Sequence, residues 1–222
     1  MTKDQLAQMI DHTYLRMDGN DDGVLRACYE AMYYNFTSVA LLPTMIPLAV
    51  KILEESPVKV DAALSFFRGR YPLELKMFEV EDSIKMGAEE LDIVISVNLL
   101  KEKKYDLLEK EFSEFVRVAN GLTTKVILET CLLTDDEKIT ACKIARDTGV
   151  SFVKTSTGFK SGATVHDVAL MRKTVGDVCG VKASGGIRNW KQAKVLIDAG
   201  ANRLGVSAGV SIMKEFLKET GQ

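Results

Sequence analysis

Short aliphatic and β-branched runs alternate with longer amphipathic stretches along the whole chain. The strand-like runs fall at 9–13, 38–42, 58–64, 91–96, 125–129, 152–156, 180–184 and 203–206. Each is followed by a segment of helical period, at 22–34, 47–55, 72–86, 105–120, 135–148, 165–175, 190–199 and 210–219. Such alternation predicts parallel strands joined by helical crossovers. Eight units in 222 residues predict an α/β fold of the (β/α)8 TIM-barrel type, one domain over 1–222 rather than two. Gly87, Gly121, Gly149 and Gly200 stand where a left-handed residue closes a helix. Thr134-Asp135-Asp136-Glu137 reads as a helix start with acids in its first turn. The competing open doubly wound sheet needs a Gly-rich phosphate loop after an early strand, and the sequence has none.

Composition narrows the class of function. Hydrophobic residues make up 46% of the chain, ample for a buried core. Twenty-nine basic against 31 acidic residues leave no basic face for nucleic acid and no polybasic membrane anchor. The start Met1-Thr-Lys-Asp-Gln5 does not read as a signal peptide, and no apolar run reaches the roughly 18 residues of a membrane span. Cys28, Cys131, Cys142 and Cys179 include no C-x-x-C pair and read as reduced residues of a cytoplasmic protein. Only two histidines are present, His12 and His166, whereas a catalytic zinc site draws two or three, so no metal is expected.

Candidate chemistry comes from charged residues in the wrong place. Strands of a parallel sheet should be nearly continuous apolar runs. Asp92, Glu129, Lys154 and Lys182 break or end four of them. One such residue alone is most simply a rim salt bridge; four on different strands call for an explanation. Lys154 and Lys182 fall on neighbouring predicted strands, spaced about 4.8 Å apart, so two inward-facing ammonium groups at similar height would be neighbours. Like charge and desolvation both lower a lysine pKa, and a neutral lysine attacks carbonyls. An inward Asp92 would supply a counter-charge and a proton shuttle. Gly185-Gly186 follows the seventh strand and Gly205-Val-Ser-Ala-Gly209 the eighth, where barrels of this kind commonly hold a phosphate. Thr157-Gly158 could line the same pocket.

Five motifs resemble those of the deoxyribose-phosphate aldolase family: Lys154-Thr-Ser-Thr-Gly-Phe159, Val181-Lys-Ala-Ser-Gly-Gly-Ile-Arg188, Ile10-Asp-His-Thr13, Val126-Ile-Leu-Glu-Thr-Cys-Leu-Leu-Thr134 and Glu90-Leu-Asp-Ile-Val94. They run from about Ile10 to Val210. The resemblance implies a metal-independent class I aldolase, a lyase of carbohydrate catabolism. It would reversibly cleave 2-deoxyribose 5-phosphate to acetaldehyde and glyceraldehyde 3-phosphate, with no cofactor beyond a Schiff base on lysine. It further implies Lys154 as the Schiff-base lysine, Lys182 as the neighbour that lowers its pKa, and Asp92 in the proton relay. Gly158, Gly185, Gly186, Gly205 and Ser207 would surround the phosphate, and the partners would be small aldehydes, sugar phosphates and a second copy in a homodimer.

Several positions depart from the family pattern. Ala40 and Leu42 replace Cys and Asn of S-V-C-V-N-P, and Ser65-Phe-Phe-Arg-Gly69 replaces G-F-P-x-G. Ser96 replaces an Asn, Ala208 a hydroxyl residue near the phosphate, and the chain ends Glu219-Thr-Gly-Gln222 without the tyrosine of many members. Loss of polar groups would loosen discrimination for the groups they held. Two alternatives therefore stay open: a related Schiff-base aldolase for another aldehyde or sugar phosphate, and a non-catalytic sugar-phosphate-binding barrel. Among smaller features, His12 reads as a core histidine, His166 as surface, Cys131 as packing, and Trp190 and the methionines as core or interface. Arg68 and Arg188 read equally as anion partners or solvated surface.

Overall fold

The structure is a computed structural model that describes residues 1–66 and 69–221. Its eight strands are β1 (Ile10–Tyr14), β2 (Ser38–Leu41), β3 (Lys59–Leu64), β4 (Glu90–Val94), β5 (Thr123–Ile127), β6 (Phe152–Lys154), β7 (Gly180–Ser184) and β8 (Arg203–Val206). All pair in parallel and in sequence order, and β8 returns to β1 through Asp11↔Gly205, closing the barrel. The predicted TIM-barrel fold is therefore the observed one.

Ten helices occur among the described residues: α1 (Lys3–Ala7), α2 (Asp21–Tyr34), α3 (Ile46–Leu53), α4 (Leu73–Lys85), α5 (Val97–Lys101), α6 (Tyr105–Ala119), α7 (Asp135–Asp147), α8 (Val165–Val175), α9 (Trp190–Asp198) and α10 (Gly209–Thr220). Eight match the predicted helical segments. In α6 the buried Leu108, Phe112, Phe115 and Ala119 recur at helical spacing and form the face turned to the barrel. Each large apolar side chain so buried contributes about 1.5–3 kcal/mol. Thr134 and Glu137 cap α7 reciprocally, as its sequence predicts. None of the helices is long and apolar enough to cross a membrane.

The strands have two different faces. On β4, Leu91 and Ile93 belong to the aliphatic layer between barrel and helices, while Glu90 and Asp92 take part in the charge contacts inside the barrel. On β3 and β7 the same alternation sets Val60, Ala62, Val181 and Ala183 outward and Asp61 and Lys182 inward. Four predicted strands end early: β2 stops at Leu41, one residue short, and β4, β5 and β6 each stop two residues short. β4 stops at Val94, because Ser96 already starts α5, and β5 stops at Ile127, because Glu129 turns into the left-handed region at φ 42°.

Candidate active site at the barrel mouth

Charged side chains fill the interior of the barrel, where aliphatic layers are usual. Register places Lys154 on β6 directly beside Lys182 on β7. Both ammonium nitrogens lie 2.6 Å from the same oxygen, Oδ2 of Asp92 on β4. Lys182 also reaches Asp11 Oδ2 at 2.6 Å and Asp61 Oδ2 at 3.0 Å. Below them Lys125 contacts Asp92 and Glu90 at 2.8 Å and Asp61 at 3.1 Å. Arg203 bridges Asp11 and Glu90, each at 2.6 Å.

The two neighbouring lysines are driven in opposite directions. Burial pushes the Lys154 ammonium below its ordinary pKa, with the Lys182 charge acting the same way against the pull of Asp92. Burial also opposes the Lys182 charge, but Asp11, Asp61 and Asp92 together outweigh it and hold Lys182 above the usual lysine range. The difference is one of carboxylate company: Lys154 has a single carboxylate contact and Lys182 has three. Asp92 is penalised by burial, yet Lys125, Lys154 and Lys182 keep it well below the usual carboxylate range.

Lys154 ends β6, 3% exposed, at the floor of a cleft of about 500 Å³ lined by the ends of β1, β6, β7 and β8 and the loops that follow. Two unlike walls flank it. On one side Leu15, Ala63, Phe66, Val94 and Ile127 pack together with Leu42, and the Lys154 nitrogen sits 5.3 Å from the centre of the Phe66 ring. On the other side stand Thr157, Gly158, Gly185, Gly186, Gly205 and Ser207. Gly185 has φ 90°, and a Cβ there would lie 2.9 Å from both the Gly158 Cα and the Ser161 carbonyl oxygen. A Cβ on Gly205 would lie 2.3 Å from Ser184 Oγ. Helix α10 starts beside this wall without a side-chain cap, which leaves its first N–H groups for an anion or water.

A buried lysine of lowered pKa at the C-terminal mouth of a (β/α)8 barrel can act as a nucleophile toward carbonyls. Residues 6–215 match the family model described as DeoC/LacD family aldolase. The chain belongs to this aldolase family. It is 51% identical over 211 residues to a deoxyribose-phosphate aldolase of Streptococcus sanguinis, covering 95% of this chain and 96% of that one. It is 46% identical over 218 residues to that of Caldanaerobacter subterraneus subsp. tengcongensis, covering 96% and 94%. A solved deoxyribose phosphate aldolase from Aeropyrum pernix, described as a unique tetramer, superposes with a TM-score of 0.91 at 32% identity, covering 97% of this chain and 92% of that one.

Within this family aldolase, the residues singled out from sequence come together. Lys154, Thr157, Gly158, Gly185, Gly186, Gly205 and Ser207 line one cleft, and Asp92 and Lys182 lie under its floor. Thr157 donates a 2.5 Å hydrogen bond from Oγ1 to Oε2 of the left-handed Glu129, so Glu129 orients a cleft residue instead of ending a strand. His12 is buried, with Nε2 2.7 Å from Glu30, and also touches the cleft. Arg188 is exposed at the cleft rim, His166 is exposed and paired with Asp135, and Arg68 lies outside the described residues. Trp190 packs edge-on against Phe216. Cys131 is exposed, contrary to the packing role expected of it, because the short turn over Thr130–Leu132 carries it away from the core.

The departures from the family pattern split into two groups. Ser65 takes φ 50°, and its N–H and hydroxyl both donate to Glu79 Oε2, at 2.8 and 2.9 Å. Ser96 is held by Glu111, which also pairs with the fully buried Lys76 at 2.9 Å. These two serines thus fasten loops to helices α4 and α6. Leu42, by contrast, packs against the apolar cluster, Ala40 is buried on β2 in register with Asp61, and Ala208 leaves α10 uncapped.

Proposed function

We propose that this chain is a class I deoxyribose-phosphate aldolase, a lyase in which Lys154 forms the Schiff base, Asp92 and Lys182 move protons, and the glycine wall binds phosphate. The supporting observation is the amine of Lys154, depressed by burial and by Lys182, at the floor of the cleft. In the cleavage direction Lys154 condenses with the aldehyde carbon of open-chain 2-deoxyribose 5-phosphate and water leaves. The resulting iminium is an electron sink. Loss of the proton on the C3 hydroxyl lets the C2–C3 bond break, releasing glyceraldehyde 3-phosphate and leaving an enamine on Lys154. Protonation at C2 and hydrolysis then free acetaldehyde. The iminium performs the polarisation a Lewis acid would otherwise supply, so the reaction asks for no metal or other cofactor.

The two walls suit the two halves of the substrate. The apolar side around Phe66 takes the two-carbon donor, and Thr157, Gly158, Gly185, Gly186, Gly205, Ser207 and the start of α10 receive the phosphate. Unpaired cysteines fit a cytoplasmic enzyme. Incubation with deoxyribose 5-phosphate or acetaldehyde, borohydride reduction and peptide mass mapping tests the reading. An adduct on Lys154 supports it, and a phosphate-blind panel of aldehydes would favour a different substrate on the same lysine. Binding without any adduct would leave only a sugar-phosphate-binding barrel.

A further inference from the structure

The barrel interior holds four acids, Asp11, Asp61, Glu90 and Asp92, against four bases, Lys125, Lys154, Lys182 and Arg203. All eight are buried, with Lys154 at the cleft floor, and the set is neutral when all eight are ionised. A nucleophilic Lys154 has to lose its proton. Loss to water would leave an uncompensated negative charge in the interior, which is costly.

One acid is equipped to prevent this. Asp11 has Oδ1 held by Ser38 and Arg203 and Oδ2 by Lys182. Asp92 has Oδ1 on Lys125 and Oδ2 on Lys154 and Lys182. Glu90 has Oε2 on Lys125 and Arg203 and Oε1 within 3.9 Å of Lys59. Asp61 alone keeps an oxygen, Oδ1, with neither a hydrogen bond nor an ion pair among the described residues. A buried carboxylate tolerates such an oxygen poorly and a neutral acid tolerates it well. The groups facing Asp61 are Asp11 on β1, Asp92 and Glu90 on β4, Lys125 on β5, Lys154 on β6, Lys182 on β7 and Arg203 on β8; β2 contributes no titratable side chain.

We infer that Asp61 is a positioning residue that stores the proton of Lys154, so that the resting enzyme holds a free amine on Lys154 and a neutral carboxylic acid on Asp61. This rests on the Schiff-base reading of Lys154 and adds where its proton goes. Burial and the Asp92 charge already raise Asp61 to about 6 against the pull of Lys125 and Lys182. Once Lys154 is neutral, one nearby positive charge fewer opposes that rise. The route is a row of contacts: Asp61 to Lys182 at 3.0 Å, Lys182 to Asp92 at 2.6 Å, Asp92 to Lys154 at 2.6 Å. Lys182 gives one proton to Asp61 as it takes one from Asp92, which takes one from Lys154. Ammonium and carboxylate become amine and acid, and the net charge of the set does not change. The reverse transfer serves catalysis. When the amine adds to the carbonyl a C–N bond forms, and the carbinolamine hydroxyl must then leave. The stored proton converts it to water, so amine, aldehyde and acid become iminium, carboxylate and water.

Infrared spectroscopy of the whole enzyme, with Asp61→Asn to assign the band, tests this. At neutral pH the wild type should show the C=O stretch of a neutral carboxylic acid, absent from Asp61→Asn; Asp61→Ala makes the same assignment if the asparagine variant does not fold. Borohydride trapping of acetaldehyde on Lys154 should slow roughly 10²-fold in Asp61→Asn, as befits a lost internal proton donor. If Asp61 were a plain counter-charge, its removal would ease deprotonation of Lys154 and trapping would speed up instead. A wild type that traps aldehyde on Lys154 but lacks the acid band overturns the inference and leaves the aldolase reading intact. A wild type that shows the band but never forms an adduct overturns the aldolase reading, and the inference with it.

Discussion

Lys154 and Lys182 meet on a single oxygen, Oδ2 of Asp92, each at 2.6 Å. One carboxylate oxygen between two cations leaves each with part of a counter-charge, and the other contacts decide which lysine stays charged. Lys182 has Asp11 and Asp61 as well; Lys154 has the Phe66 ring.

Lys154→Leu should therefore abolish the borohydride-trappable adduct and reduce cleavage of deoxyribose 5-phosphate by at least about 10³-fold, as removal of a nucleophile does. The side chain is a partner of only one acid, so the fold should persist, checked by circular dichroism and the unfolding midpoint.

Lys182→Leu tests the opposite partner. Its charge lowers the Lys154 pKa, so its removal should raise that pKa and move the acid limb of the rate profile for adduct formation to higher pH. Three carboxylates also lose a partner, and stability should fall by about 3–5 kcal/mol, read from urea unfolding. An unmoved acid limb would contradict the electrostatic role.

Acid should unfold the enzyme through the same set. Asp11 and Asp92 are penalised by burial, yet nearby cations hold both below the ordinary value of 3.8 in the folded state. The unfolded chain then takes up protons first as pH falls. Their stabilisation is present above the unfolded value and is lost as pH drops through the lower folded values. Asp11→Asn should start from a lower unfolding midpoint near neutral pH and fall less steeply below about pH 4, in midpoints measured across that range.

Gly185→Ala addresses the glycine wall. A Cβ 2.9 Å from the Gly158 Cα and the Ser161 oxygen, at φ 90°, forces the loops after β6 and β7 apart. The KM for deoxyribose 5-phosphate should rise roughly 10–100-fold, while trapping of unphosphorylated acetaldehyde changes little. An equal loss for both substrates would remove this wall from phosphate binding.

Much of the barrel was legible because alternating periods are a strong signal: β7 and β8 start and stop where the apolar runs do. Helices α1 and α5 were not, since five residues make too little of a turn pattern to show a period. The site was read from Lys154, Lys182 and Asp92, which sit inside apolar runs. Asp11, Asp61, Glu90, Lys125 and Arg203 belong to the same cluster and were missed; Asp11 and Asp61 lie inside their predicted runs and carried the same signal as Asp92, whereas Lys125 and Arg203 open predicted runs and Glu90 precedes one. A charge there reads as the solvent-facing edge of a strand, and only closure of the barrel turns it inward. Ser65 and Ser96 looked like lost substrate contacts because their partners, Glu79 and Glu111, lie 14 and 15 residues away on helices.

The ionic filling of the barrel has a bearing on how such an enzyme can diverge. A hydrocarbon interior can absorb a methyl-sized change by repacking, whereas a swap at any of the eight charged positions alters the charge tally that sets the amine's reactivity. Innovation in substrate choice is thereby confined to the rim, to positions such as Leu42 and Ala208 that carry no part of that tally. Libraries aimed at new aldehydes should find their survivors there and almost none on the inward positions of the strands.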